Sequence, residues 1–139
     1  MHDVTVIHRD LKLENILVDD KMKLKIIDFG FSTYNDNKCD IYCGTLPYMA
    51  PEIIENKPFD GHAADVFAVG VIMFILVTGS FPFTQATSSN KFYNSLNSDS
   101  EKDRNKFWLA TESTKCSDEF KELFAAMVRI NPEERPSLK

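Results

Sequence analysis

Apolar and polar positions along the chain alternate on different periods before and after about residue 44. Val4 to Ile7 is a short β-branched run, and Ile16 to Val18 is a second apolar run ended by Asp19-Asp20. Met22, Leu24 and Ile26 then alternate with Lys21, Lys23 and Lys25, the period of a half-exposed strand. This pattern predicts a hairpin turning at Asp19 to Lys21. Phe31 to Asp40 is polar and without period, as expected of an exposed, mobile loop. From His62 to Thr78 the chain is nearly all apolar, with Gly79 as a stop and Pro82 beyond, which predicts a buried helix. Thr84 to Asn105 is rich in Ser, Asn, Asp and Lys. Phe92 and Leu96 allow one short helix there, and the remainder reads as surface connection. Ser117 stands at an N-cap position before Asp118 and Glu119. Phe120, Leu123, Phe124, Met127 and Val128 then repeat at helical spacing, up to a stop near Asn131-Pro132. The expected class is α+β, with helices dominating after Gly44.

A chain of 139 residues is one domain or part of one. With 43% hydrophobic and 27% charged residues it can build a packed core. A net charge of −5 without a long basic run argues against nucleic acid or an anionic membrane as partner. The most apolar stretch, Val66 to Val77, is shorter than the ~20 residues that cross a bilayer. No secretory signal precedes His8, and Cys39, Cys43 and Cys116 match neither a zinc nor a disulfide framework. A cytoplasmic or nuclear location with free thiols is the expectation. Oligomeric state is not legible. Gly30, Gly44, Gly61, Gly70 and Gly79 lie too far apart for a glycine-rich phosphate loop.

The polar segment His8 to Asn15 carries the candidate chemistry. If extended, it turns Asp10, Lys12 and Glu14 to one side and Leu11 and Leu13 to the other. Asp28 lies beyond the hairpin, so the there-and-back path can return it beside Asp10 and Asn15. One carboxylate (Asp28) and one neutral oxygen (Asn15) suit Mg²⁺, whose shell is completed by phosphates and water. Lys12 is placed to neutralise a transferring phosphoryl group. Asp10 can orient an attacking hydroxyl and accept its proton.

In order, His8 to Asn15 (HRDLKLEN), Asp28 to Gly30 (DFG) and Ala50 to Glu52 (APE) resemble the catalytic-loop, metal-binding and activation-segment signatures of eukaryotic serine/threonine protein kinases. Phe59 to Phe83 looks like that family's central helix, with Asp65 at its start, and is most similar to the calcium/calmodulin-regulated and AMP-activated groups. The resemblance implies the mainly α-helical C-terminal lobe of the kinase fold, with a small β-hairpin carrying the catalytic and metal loops. Residues 1–139 would be a partial kinase domain. It further implies ATP and Mg as cofactors and a protein Ser or Thr hydroxyl as acceptor. Asp10 would be the catalytic aspartate, Lys12 the lysine on the transferring phosphate, Asn15 and Asp28 the metal ligands, and Glu14 a ribose neighbour acting through its backbone. Thr45, in GTLPYMAPE, would face the substrate. His8 would pack beneath Phe29, with Gly30 completing the turn.

Plainer readings stand beside these. Glu52 and Arg135 form a buried ion pair in the family and are otherwise two solvated charges. Asp65 is either a helix N-cap or a brace for the catalytic loop. Cys39 and Cys43 read as inert thiols, and Lys21, Lys23 and Lys25 as a solvated strand face. The family's β-rich ATP-binding lobe has no counterpart here, which leaves part of the nucleotide site unbuilt. The chain is therefore expected to be an incomplete kinase, inactive alone. The alternative is a non-catalytic lobe that docks substrates or partner kinases, and a small-molecule phosphotransferase is a remote third. Exposed apolar surface is expected. Arg9 resembles the arginine that orders the activation segment through a phosphate. Ile41 occupies the usual phosphosite, so Asp40 or a phosphorylated Tyr42, Thr33 or Ser32 would have to take its place, and Asp40 is the one expected to order the segment.

Overall fold

The computed structural model describes residues 6–34 and 42–137. Cys39, Asp40 and Ile41, and with them the expected ordering role of Asp40, lie outside the described residues. Four short strands come first: β1 (Val6–Ile7), β2 (Ile16–Val18), β3 (Leu24–Ile26) and β4 (Thr33–Tyr34). β2 and β3 form the expected antiparallel hairpin, with Ile16 opposite Ile26 and Val18 opposite Leu24. Its turn is wider than the pattern suggests. Asp19 Oδ1 accepts from the Lys21 and Lys23 amides, and Met22 sits at the tip with φ 59°, so Met22 belongs to the turn and not to the strand. The apolar side of β3 is uncovered, so its alternation does not mark burial.

β1 pairs antiparallel with β4, Val6 opposite Tyr34 and Ile7 opposite Thr33. The loop expected from Phe31 thus contains a strand. Its pairing is long-range and leaves no local period.

The helical part comprises α1 (Pro51–Ile54), α2 (Gly61–Thr78), α3 (Lys91–Leu96), α4 (Glu101–Ala110) and α5 (Asp118–Met127). α2 is capped by Asp60, whose carboxylate accepts from the His62 and Ala63 amides. It ends at Gly79 in the left-handed region, φ 78°, where a side chain would be strained. Asp65 is therefore not the cap. It lies inside the helix and is 2% exposed.

α2 packs on α5, and at Gly70 an added Cβ would come within 3.0 Å of Met127 Cβ and 3.1 Å of Val128 Cγ1. Glycine here lets the helices approach. Phe74, fully buried, meets the rings of Phe107, Trp108, Phe120 and Phe124 with centroids 4.7–6.5 Å apart. Burial of such side chains contributes ~1.5–3 kcal/mol each. α2 has the length and mean hydropathy of a membrane span, but its buried residues place it in this core.

α4 is a second correction, because the polar stretch Thr84–Asn105 was expected to be mostly connection. Its first turn carries Glu101 and Asp103, Lys106 pairs with Asp103 at i, i+3, and it buries only Phe107 and Trp108. Two adjacent anchors give no helical period. α5 is capped by Ser117 as expected, the Phe120 amide donating to its hydroxyl, and ends at Met127, before Asn131. Asn131 instead caps a one-turn 3-10 helix, Pro132–Glu134.

Candidate active site

The loop before β2 is fixed from below by α2. The His8 amide donates to Asp65 Oδ2 at 2.9 Å and the Arg9 amide to Asp65 Oδ1 at 3.0 Å. Arg9 has φ 68°, a region that non-glycine residues adopt only when surrounding structure holds them there. The buried carboxylate supplies that hold. Of the two readings of Asp65, the structure shows the brace.

His8 carries the constraint onward. The Asp10 amide donates to His8 Nδ1 at 3.3 Å, so Nε2 bears the proton and donates to the Ile27 carbonyl at 3.1 Å. Its ring lies 5.0 Å from that of Phe29. The Ile27 amide in turn donates to the Asn15 carbonyl at 2.9 Å. These bonds set the two polar loops side by side at the base of the hairpin.

Asp10 is 5% exposed and both its carboxylate oxygens are engaged. Thr45 Oγ1 donates to Oδ1 at 2.9 Å and Lys12 Nζ to Oδ2 at 2.7 Å, while Lys12 Nζ also donates to Thr45 Oγ1 at 3.0 Å. This triangle joins residues 33 and 35 positions apart. The hydrogen bond that Lys12 donates to Asp10 raises the Lys12 pKa above its ordinary value; burial opposes this, and the charges of Asp10, Glu14 and Asp28 reinforce it. Lys12 therefore keeps its charge at physiological pH. Asp28 acts on the same ammonium as Asp10 does.

The extended geometry expected from His8 to Asn15 is broken at Arg9, in the left-handed region, and ends after Lys12, which is itself extended with φ −155°. Leu13–Asn15 is a 3-10 turn that leaves Glu14 exposed and buries Asn15. Asn15 Nδ2 donates to the Asp10 carbonyl at 3.0 Å, which leaves its amide oxygen as the atom able to meet a cation. Asp28 is exposed, has φ 61° and accepts from the Gly30 amide at 3.2 Å through one oxygen. One carboxylate and one amide oxygen fit the partial donor set that Mg²⁺ takes when nucleotide phosphates and water supply the rest. No group of three or more His, Cys, Asp or Glu side chains is placed to hold a metal among the described residues.

Glu52 and Arg135 meet in a buried bidentate pair, Nη1 to Oε1 at 2.7 Å and Nη2 to Oε2 at 2.8 Å. Arg135 also donates to the carbonyls of Arg129 and Ala63 and lies 5.1 Å from the centroid of Phe67. The pair is not solvated. Arg9 Nε donates to the Phe31 carbonyl, linking the two polar loops a second time. The Cys43 thiol has its pKa pushed up by burial, which the Arg9 charge only partly offsets, in keeping with an unreactive thiol.

Position 60 was legible as the α2 cap, since Asp-Gly immediately before an apolar run is a helix-start signal. Tyr48 carried none. It is buried with its phenol against the Leu13 backbone, and burial raises its pKa. A cavity of about 780 Å³ lies at the far end of α2 among Thr78, Phe81, Phe92 and Cys116, and a small one of about 20 Å³ lies at the site itself, beside Asp10 and Thr45.

The family model for the protein kinase domain matches residues 1–139. The chain belongs to the eukaryotic serine/threonine protein kinase family. This kinase chain is 38% identical over 141 residues to serine/threonine-protein kinase kin-29 of Caenorhabditis elegans, covering 100% of the chain and 16% of that protein. It is 36% identical over 139 residues to putative serine/threonine-protein kinase YPL150W of Saccharomyces cerevisiae, covering 99% and 14%. With sperm motility kinase 2B of Mus musculus the identity is 34%, over 99% of the chain and 27% of that protein. The chain thus spans less than a third of the length of these curated relatives.

Proposed function

We propose that these residues are the catalytic and substrate-facing portion of a serine/threonine protein kinase, corresponding to the mainly helical C-terminal lobe. The reaction is transfer of the γ-phosphoryl group of Mg-ATP to a protein Ser or Thr hydroxyl. The observation that carries the reading is the buried Asp10 carboxylate held by both Lys12 and Thr45, with Asn15 bonded to the Asp10 carbonyl and the Asp28 charge acting on Lys12.

Asp10 is oriented before any substrate arrives, so it can accept the proton of an incoming hydroxyl without rearranging. Such a base contributes ~10²–10⁴-fold. Lys12 bridges Asp10 and Thr45 and keeps its positive charge where a transferring phosphoryl group builds up negative charge. Thr45, donating to Asp10, would mark where the acceptor enters. Asn15 and Asp28 would hold Mg²⁺, which when bound shields the phosphate charge. Glu14 would lie by the ribose through its backbone.

The test measures ³²P transfer from Mg-ATP to Ser, Thr and Tyr peptides by this chain and by the chain extended upstream. The expected result is transfer to Ser and Thr only, and only by the extended form. Transfer by neither form contradicts the reading. The exposed apolar residues Leu17, Val18, Leu24 and Ile26 favour, as a second reading, a lobe that docks other proteins without catalysis. Stable capture of a partner kinase by a polypeptide without phosphotransfer would select it.

A further inference from the structure

Three residues before Thr45 stands Tyr42, a side chain with no part in the transfer chemistry above. Tyr42 is 42% exposed, yet its hydroxyl donates to the Asn56 carbonyl at 2.8 Å and its ring lies 6.4 Å from that of buried Phe59. The acceptor is held firmly. Asn56 has φ 53° and ends α1 in a left-handed closure, its amide donating to the Ile53 carbonyl at 3.1 Å and the Lys57 amide to the Glu52 carbonyl at 3.0 Å. α1 is itself clamped through Glu52 to Arg135. The Asn56 carbonyl is therefore a fixed point of the helical part.

Between Tyr42 and buried Tyr48 the chain passes Cys43, Gly44 and Thr45, and at Gly44 φ is 123° and an added Cβ would come within 3.0 Å of the Arg9 carbonyl. The described segment is thus pinned at both ends: at Tyr48 by burial, and at Tyr42 by one hydrogen bond and one ring contact. Thr45 lies between the pins, and its hydroxyl must meet both Asp10 and Lys12.

We propose that Tyr42 is a positioning residue, whose hydroxyl bond to Asn56 sets Thr45 against Asp10 and so fixes where the acceptor hydroxyl lands. This rests on the phosphotransfer reading. Tyr42→Phe keeps the ring on Phe59 and removes only the donor. An intramolecular hydrogen bond of this kind is worth about a two- to tenfold change in an equilibrium.

The experiment compares wild type with Tyr42→Phe in the polypeptide that carries these residues. It reads alkylation of Cys43 by iodoacetamide, resolved by peptide mass mapping, and steady-state kinetics with a Ser peptide. Expected are a two- to tenfold faster Cys43 alkylation and a peptide KM raised by a similar factor, with the KM for ATP unchanged. An active wild type whose Tyr42→Phe variant leaves either the Cys43 rate or the peptide KM unchanged overturns the proposal. A wild type that transfers no phosphate overturns instead the catalytic reading beneath it.

Discussion

Around α2 the side chains of Phe67, Phe74, Phe107 and Phe124 are 0% exposed, whereas on the β2–β3 hairpin Leu17, Val18, Leu24 and Ile26 are between 41% and 69% exposed. Both regions are regular in backbone, but different forces hold them. The helical part is cemented by burial and by the Glu52–Arg135 pair. Beyond part-buried Ile16, which packs on the core, the hairpin is tied to the rest by directional bonds: His8 to the Ile27 carbonyl, Ile27 to the Asn15 carbonyl and Asn15 to the Asp10 carbonyl. Asp28 follows Ile27 directly, so the placement of a candidate cation ligand depends on hydrogen-bond geometry more than on packing.

If the helical part is the stability core, its largest single loss comes from breaking the buried pair. Arg135→Ala leaves Glu52 charged and buried, and should cost ~3–5 kcal/mol in urea unfolding. Arg135→Lys should recover only part of this, because an ammonium cannot reproduce the bidentate geometry. A loss below ~1 kcal/mol would place the pair among weak surface contacts.

Gly70→Ala should come next. The new methyl would press on Met127 and Val128, and overpacking of this kind costs ~1–3 kcal/mol in the same unfolding curves.

A milder effect is expected from alkaline pH. Burial raises the Tyr93 phenol well above its ordinary value of 10.0, while its hydroxyl donates to the Val128 carbonyl at 3.2 Å. A folded pKa above the unfolded one means that this contribution to stability is whole below pH 10 and is lost as the pH climbs beyond it. Ultraviolet titration should show Tyr93 ionising above the ordinary tyrosine range. Tyr93→Phe should flatten the fall in stability at high pH.

The smallest change is expected on the hairpin. Leu24→Thr alters a side chain already 69% exposed and should shift stability by no more than ~0.5 kcal/mol. A shift as large as that of Gly70→Ala would mean that the hairpin face is packed in solution, and the contrast between the two regions would fail.

What local pattern could reveal, it did. A short apolar run located β2, alternation located β3, the apolar run with Gly79 located α2, and helical spacing after Ser117 located α5. Alternation could not tell that one side of β3 is uncovered, because it reports a strand and not what lies above it. β4 depended on pairing with residues far off in sequence, and α4 on two adjacent anchors, so neither left a period to read.

The candidate site shows the same division. The motifs named Asp10, Lys12, Asn15 and Asp28, and the structure brings Asp10, Lys12 and Thr45 into mutual hydrogen bonding. Spacing placed Glu14 beside them in an extended strand, and the 3-10 turn at Leu13 removed it. A tight turn costs only a few residues and is invisible to period. The tie from Tyr42 to Asn56 uses a backbone carbonyl, which no residue type announces.

Comparing the kcat of the wild-type polypeptide with that of Asp10→Asn, for phosphate transfer from Mg-ATP to a Ser peptide, addresses the role of the buried carboxylate most directly. The account predicts a fall of ~10²–10⁴-fold, with the KM for ATP nearly unchanged. An Asp10→Asn variant that turns over as fast as the wild type would contradict it.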